Sequence, residues 1–192
     1  METVVYAVLM YLIGNFMTAY FLVKIFHKEN ILQKGSNNIG ARNAGRLYGK
    51  TFFILTFIGD ACKGILAVMI AVSLDFSTTI QLFGLGMAIL GHVKPVILRF
   101  HGGKGISTFL GGILAFEPLC IFVIVGGFLV SYMIIKSFTL AGLVSLIFIP
   151  FFFYYQNYSN QDVITSFIIV IFLLFLHRSN IRGRVNRVEE KT

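Results

Sequence analysis

From residue 3 to residue 177 the chain is a succession of apolar runs, at about 3–26, 51–74, 80–98, 106–116, 118–135, 138–155 and 163–177. A helix that crosses a bilayer needs about 20 residues, with roughly 17–25 as the usual range. Five of the runs are near that length, 106–116 is clearly short, and 163–177 is somewhat short. Turn-forming or polar residues separate them: Asp75-Phe76-Ser77, His101-Gly102-Gly103, Glu117-Pro118, Lys136-Ser137, and Asn157 to Asp162. Charged residues make up only 12% of the 192, against 57% hydrophobic, too few to coat a soluble domain of this size. The expectation is an all-α, polytopic integral membrane protein. It forms a single membrane domain over 1–192, with seven transmembrane segments and one short, re-entrant region.

The charges fall in register with these runs. With alternating sides, the stretches 24–50, 94–105, 136–137 and 177–192 share one face and hold every Lys and Arg except Lys63. The other face holds Glu2, Asp75, Glu117 and Asp162 and no basic residue. The positive-inside rule then places the N-terminus outside and the C-terminus in the cytoplasm. The start of the chain does not resemble a signal peptide, because acidic Glu2 opens it and its basic flank follows the apolar run. A net charge of +8 favours anionic partners such as phosphorylated substrates and lipid headgroups. Nucleic acid is excluded, since no polar stretch is long enough for a reading domain.

Four clusters carry the polar chemistry. The first runs from Lys34-Gly35-Ser36-Asn37-Asn38 to Asn43 and Arg46. Its glycines let N–H groups turn inward, its Ser and Asn add neutral donors, and Arg46 or Arg42 can fork onto two phosphate oxygens. Taken alone it reads first as an ordinary solvated basic loop between helices. The second, His101-Gly102-Gly103-Lys104-Gly105, opens a helix and reads as a phosphate cradle or as a flexible turn. It is not a Walker A loop, because Leu98 and Gly105 stand where that pattern needs Gly and Ser/Thr. The Pro and four Gly between Gly91 and Gly105 predict irregular backbone dipping below the cytoplasmic interface, with His92 hydrogen-bonded inside it.

The third cluster lies inside an apolar run. Asp60 and Lys63 are three apart, share a helix face, and read as an internal ion pair, because a charge within a crossing costs about 2.5–3.5 kcal/mol unless paired. Gly59 and Gly64 beside them allow a neighbouring helix close approach. The fourth is His177-Arg178-Ser179-Asn180-Ile181, where His177 is the best base or hydrogen-bond candidate among the four histidines. Cys62 and Cys120 sit far apart in apolar runs and read as core residues. His, Cys and carboxylates never cluster at ligand spacing, so neither a metal nor a cofactor is expected.

Taken in order, these clusters resemble the PlsY family of bacterial membrane glycerol-3-phosphate acyltransferases, over nearly the whole chain. The first family motif resembles Gly-Ser-Gly-Asn-x-Gly-Ala-Thr-Asn ending in Arg, matched here by Gly35-Ser36-Asn37-Asn38 to Asn43 and Arg46. The second resembles Gly-His-x-x-Pro followed by Gly-Gly-Lys-Gly, matched by Gly91-His92, Pro95 and Gly102 to Gly105. The third resembles His-Arg-x-Asn-Ile with a later Glu, matched by His177-Arg178, Asn180-Ile181 and Glu189. Asn37 stands where the family usually has Gly and Arg42 where it has Thr, and Gly183 and Arg187 depart from the last motif.

The resemblance implies acyl transfer from acyl phosphate to the 1-hydroxyl of glycerol 3-phosphate, giving lysophosphatidate and phosphate at the membrane. It implies that Ser36, Asn38, Asn43, Arg46 and Lys104, with the amides of Gly102, Gly103 and Gly105, hold phosphate. His177 and Asn180 orient the polyol or polarise the carbonyl, and Ser36 is also a candidate catalytic hydroxyl. Asp60, Lys63 and His92, by their own positions rather than by the resemblance, are expected to be structural or to support the residues that touch substrate. The competing class is a transporter or flippase for a phosphorylated anion. It would need access from both faces and repeated broken helices, and the sequence offers one re-entrant region and no internal repeat.

Overall fold

The computed structural model describes residues 1–182, and these contain helices and no strand. Among the described residues the main α-helices are, in order, α1 (Glu2–Gly14), α2 (Thr18–His27), α3 (Ala41–Tyr48), α4 (Lys50–Ser73), α5 (Thr78–Val93), α6 (Ile106–Phe116), α7 (Cys120–Ile135), α8 (Phe138–Tyr155) and α9 (Asn160–Leu176). Two 3₁₀ turns, Ile31–Gln33 and Val96–Leu98, punctuate the loops. The helices divide into two compact units, residues 1–117 and residues from 118 onward.

Among the described residues, four stretches are long and apolar enough to cross a membrane: Glu2–His27, Lys50–Ser73, Thr78–Leu98 and Phe138–Tyr155. Ile106–Phe116, Cys120–Ile135 and Asn160–Leu176 are apolar but shorter. Helix α4 shows the logic of a lipid-facing element. Its buried face carries Thr56, Asp60, Lys63, Gly64, Ala67 and Ala71, while Phe53, Ile58, Leu66, Met69 and Val72 point outward. Polar and small residues inside with large apolar residues outside is the reverse of a soluble helix, and it suits a hydrocarbon solvent.

The structure alters the sequence reading in four places. Cys62, expected in the core like Cys120, lies on the outer side of α4 and is exposed, while Cys120 is buried. The first apolar run is not one helix: it breaks at Asn15–Met17 between α1 and α2. The basic loop after it contains α3, an eight-residue helix that the sequence does not announce. Residues Gly91, His92 and Val93, expected in an irregular loop, form the last turn of α5, and the irregular backbone begins at Lys94.

In the first unit, α4 packs on α3, α5 and α6, and α5 packs on α1. The α4–α6 crossing is close. A Cβ added at Gly64 would run into the Thr108 carbonyl, and one at Gly111 into the Ala61 carbonyl, so backbone faces backbone at both points. Within the second unit α8 packs on α7 and α9, and Ser159 caps α9 by accepting the Asp162 N–H at 3.2 Å.

Gly64→Ala and Gly111→Ala should each destabilise the protein by about 1–3 kcal/mol, because rigid backbone cannot yield to the added methyl. Gly126→Ala in α7, where a Cβ meets nothing within 4 Å, should leave the unfolding temperature unchanged or raised. Thermal unfolding in one detergent compares the three directly.

Candidate active site

The polar residues of the first unit form two loops, each of which opens a helix. The loop 28–40 precedes α3 and is closed at both ends. Glu29 pairs with Lys34 at 2.6 Å and accepts the Tyr48 hydroxyl at 2.6 Å. The Lys34 ammonium, and then the Tyr48 hydroxyl, hold the Glu29 carboxyl below its ordinary range. Burial, reinforced by Glu29, pushes the Tyr48 hydroxyl up to about 12.

Asn43 fixes the middle of this loop. Its Oδ1 accepts the Ser36 N–H at 3.1 Å and its Nδ2 donates to the Lys34 carbonyl at 3.2 Å, with the side chain buried. The amide therefore holds the loop from beneath, while Ser36 lies exposed above it. Asn37 has φ 56°, a left-handed conformation that Asn tolerates better than any residue except Gly. This accounts for the departure from the resemblance noted above: the position demands left-handed backbone, and Asn meets the demand as Gly does. Asn38 is half-buried beside Gly40. Arg42 and Arg46 stand four residues apart on α3, so they share a face, and both are exposed.

The second loop, 94–105, precedes α6. Consecutive left-handed residues, Arg99 at φ 51° and Phe100 at φ 62°, turn the chain sharply. His101 Nδ1 lies 2.7 Å from the Arg99 carbonyl, an exposed local contact. Gly105, at φ 79°, is the residue before the first turn of α6, and Lys104 beside it is half-buried. The unpaired N–H groups of a helix's first turn attract anions.

The two loops meet. The Ile39 N–H donates to the Gly102 carbonyl at 3.4 Å. Ile39 is fully buried in a cluster with Met17, Ile31 and Ala44, against which Leu98 of the second loop also packs. Two motifs separated in sequence are thus brought to one place by a shared apolar anchor.

Beneath the second loop lies a buried charged group. Lys63 Nζ is 3.0 Å from Asp60 Oδ1, 2.7 Å from the Phe16 carbonyl, 3.3 Å from the Gly14 carbonyl and 2.9 Å from His92 Nδ1. Thr18 Oγ1 donates to Asp60 Oδ1 at 3.0 Å. Gly14 ends α1 and Phe16 lies within the break before α2, so Lys63 also satisfies backbone that the broken helix exposes. Asn15 completes the repair: its Nδ2 donates to the Tyr11 carbonyl at 2.6 Å and its Oδ1 accepts the Val96 N–H. The sequence reading missed Asn15, although an Asn after Gly inside an apolar run was a visible signal. Removing one partner of such a buried pair commonly costs about 3–5 kcal/mol.

The remaining predicted residues belong to the second unit. His177 caps α9, is buried, and its Nδ1 lies 2.9 Å from the Leu173 carbonyl. A carbonyl only accepts, so Nδ1 carries the proton, and Nε2 is the basic nitrogen of the neutral ring. The Asn180 N–H donates to the His177 carbonyl at 2.9 Å, which places the two residues on one turn. Glu189, Gly183 and Arg187 of the third motif lie outside the described residues.

Comparison with known proteins agrees along the whole chain. Residues 4–187 match the family described as Glycerol-3-phosphate acyltransferase. Glycerol-3-phosphate acyltransferase 1 of Bacillus cereus is 44% identical over 173 residues, covering 90% of this chain and 95% of its own. The enzyme of the same name from Desulfitobacterium hafniense is 35% identical over 181 residues, covering 94% and 90%. Among solved structures, PlsY, an integral membrane glycerol 3-phosphate acyltransferase, superposes in its glycerol 3-phosphate form with a TM-score of 0.87. It is 26% identical and covers 97% of this chain and 93% of its own. Its lysophosphatidic acid form gives a TM-score of 0.85. Agreement at this coverage, in sequence and in helical fold, makes the chain a multi-pass membrane protein of the glycerol-3-phosphate acyltransferase family.

Proposed function

We propose that this protein transfers a fatty acyl group from acyl phosphate to the 1-hydroxyl of glycerol 3-phosphate, releasing phosphate and lysophosphatidate. The observation that carries the reading is the Ile39–Gly102 contact, which joins two glycine-containing loops, each opening a helix and each bearing a cation. Both substrates and both products carry phosphate, so a site built from paired anion loops suits every species in the reaction. The relatives are named glycerol-3-phosphate acyltransferases, and the PlsY structures are of glycerol 3-phosphate and lysophosphatidic acid forms.

In this reading Ser36, Arg46 and Lys104 bind phosphate oxygens, with the amides of Gly102, Gly103 and Gly105 assisting. Asn38 lines the loop, and Asn43 serves by holding the Ser36 amide in place. The substrate hydroxyl oxygen forms the new bond to the acyl carbon, the acyl–phosphate C–O bond breaks, and phosphate departs with its electron pair. The Nδ1-protonated form of His177 supports Nε2 as the acceptor of the hydroxyl proton, and Asn180 orients the polyol. Phosphate is a good leaving group, so holding and charge stabilisation suffice without a covalent enzyme intermediate. The chain crosses a bacterial inner membrane seven times, with both basic loops on the cytoplasmic side.

The direct test is purified protein supplied with acyl phosphate and glycerol 3-phosphate. Lysophosphatidate and inorganic phosphate should appear in equal amounts, at a rate that acyl-CoA does not match. A preference for the thioester would refute the donor assignment.

Lys104→Ala and Arg46→Ala should each lower kcat/KM by about 10- to 100-fold, since a charge-assisted hydrogen bond is worth about 1.5–3 kcal/mol. His177→Ala should lower kcat more than it raises KM. His177→Asn separates the roles, because an amide orients a substrate but takes no proton at neutral pH. Loss in both variants is expected; activity kept in Asn alone would reassign His177 to orientation.

For topology, single cysteines in a Cys62- and Cys120-free background should react with an impermeant external reagent at positions 2, 75, 117 and 160. Positions 36, 104 and 180 should react only after the membrane is opened. External labelling at 104 would reverse the orientation.

A further inference from the structure

We propose that Lys63 is a positioning residue for this acyl transfer: through His92 it sets the Gly102–Gly105 turn that carries Lys104. The proposal rests on the function proposed above and goes beyond the simple neutralisation of a buried carboxylate. Charge neutralisation needs only the Asp60 contact at 3.0 Å. Lys63 Nζ makes three more contacts, to Phe16 and Gly14 carbonyls at 2.7 and 3.3 Å and to His92 Nδ1 at 2.9 Å. Paired with the Asp60 carboxylate, Lys63 is an ammonium, which has N–H donors and no lone pair. In its contact with His92 Nδ1 the ring nitrogen therefore accepts, and the ring proton lies on Nε2.

That nitrogen faces the turn. A Cβ built at Gly103 would land on His92 Nε2, and one at Gly102 on the His92 carbonyl. The same carbonyl accepts the Gly103 N–H at 3.0 Å. The turn is thus wrapped on both the ring and the backbone of His92, and the ring's direction is set by Lys63. Lys63 in turn is held on its other side by the α1–α2 break and by Asp60. A continuous line of contacts runs from a broken helix, through one ammonium, to the residue next to Lys104. None of these groups needs to touch substrate for the line to act. Small misplacement of a binding group is costly, with losses on the order of a hundredfold for about 1 Å.

The test compares four variants with wild type by steady-state kinetics and by amide hydrogen exchange over residues 99–105. The variants are His92→Leu, His92→Gln, Lys63→Met, and Lys63→Met combined with Asp60→Asn. His92→Leu leaves the Lys63–Asp60 pair and the break contacts in place. It should raise KM for glycerol 3-phosphate and lower kcat/KM by roughly 10- to 100-fold, with faster exchange at 102–105 and unchanged exchange in residues 78–90. His92→Gln, which keeps an acceptor and an N–H donor, should recover most of that loss. The double variant removes both buried charges, so it isolates positioning from neutralisation, and it should stay as impaired as His92→Leu. Recovery of wild-type kinetics and exchange in the double variant would overturn the proposal. So would wild-type behaviour of His92→Leu, or its failure to insert and fold, which would make the group a support of the whole unit rather than of the turn. An inactive wild type in the same assay would count against the function reading alone, and the exchange data would still decide whether Lys63 and His92 hold the turn.

Discussion

A backbone carbonyl at membrane depth has no water to turn to, so every interruption of a helix there must be answered by the protein itself. The break at Asn15–Met17 is such an interruption inside an otherwise apolar stretch. The answer is a charged side chain, Lys63, from the middle of α4, balanced by Asp60 from the same helix. Much of the first unit follows from that choice. Thr18 is fixed as a donor to the carboxylate, His92 is recruited as a further acceptor, and α4 must present a polar and small-residue face inward. An unpaired ion in this position would be costly, so Lys63 and Asp60 depend on each other.

Above this group the chemistry is built from cheaper parts. In the proposed reading the two loops meet phosphate with N–H groups and helix beginnings, which the backbone supplies without extra charge, and with Arg46 and Lys104 as cations. Their common anchor is apolar: Ile39 and Leu98 meet in one cluster, so the relative placement of two polar loops is governed by hydrophobic packing. That division separates what holds the site from what the site holds.

The sequence was informative where physics acts locally. The runs at 51–74, 106–116 and 138–155 coincide within a residue with α4, α6 and α8, because apolar length and flanking turn residues decide such helices. It was less informative where a partner distant in sequence decides. Helix α3 is short and polar, and it forms because Ala41 and Ala44 are buried by packing rather than by its own propensity. Spacing alone suggests that Asp60 pairs with Lys63, but the Phe16 carbonyl lies 47 residues away from Lys63, and no local pattern announces it. The sequence places Asn43 among the phosphate ligands, while the structure shows its amide engaged with the Ser36 and Lys34 backbone. An amide's direction is not written in its spacing.

The order of the chain gives the buried ammonium one more meaning. Gly14 and Phe16 are synthesised before Lys63, and Asp60 is on the same helix, so an inserting α4 finds its carboxylate and both carbonyls already made. His92 follows 29 residues later. The costly charge therefore enters the bilayer with most of its partners present, and only the link to the glycine turn waits for the next helix. The order of the chain thus makes the broken first helix available to α4 before the glycine turn has been made.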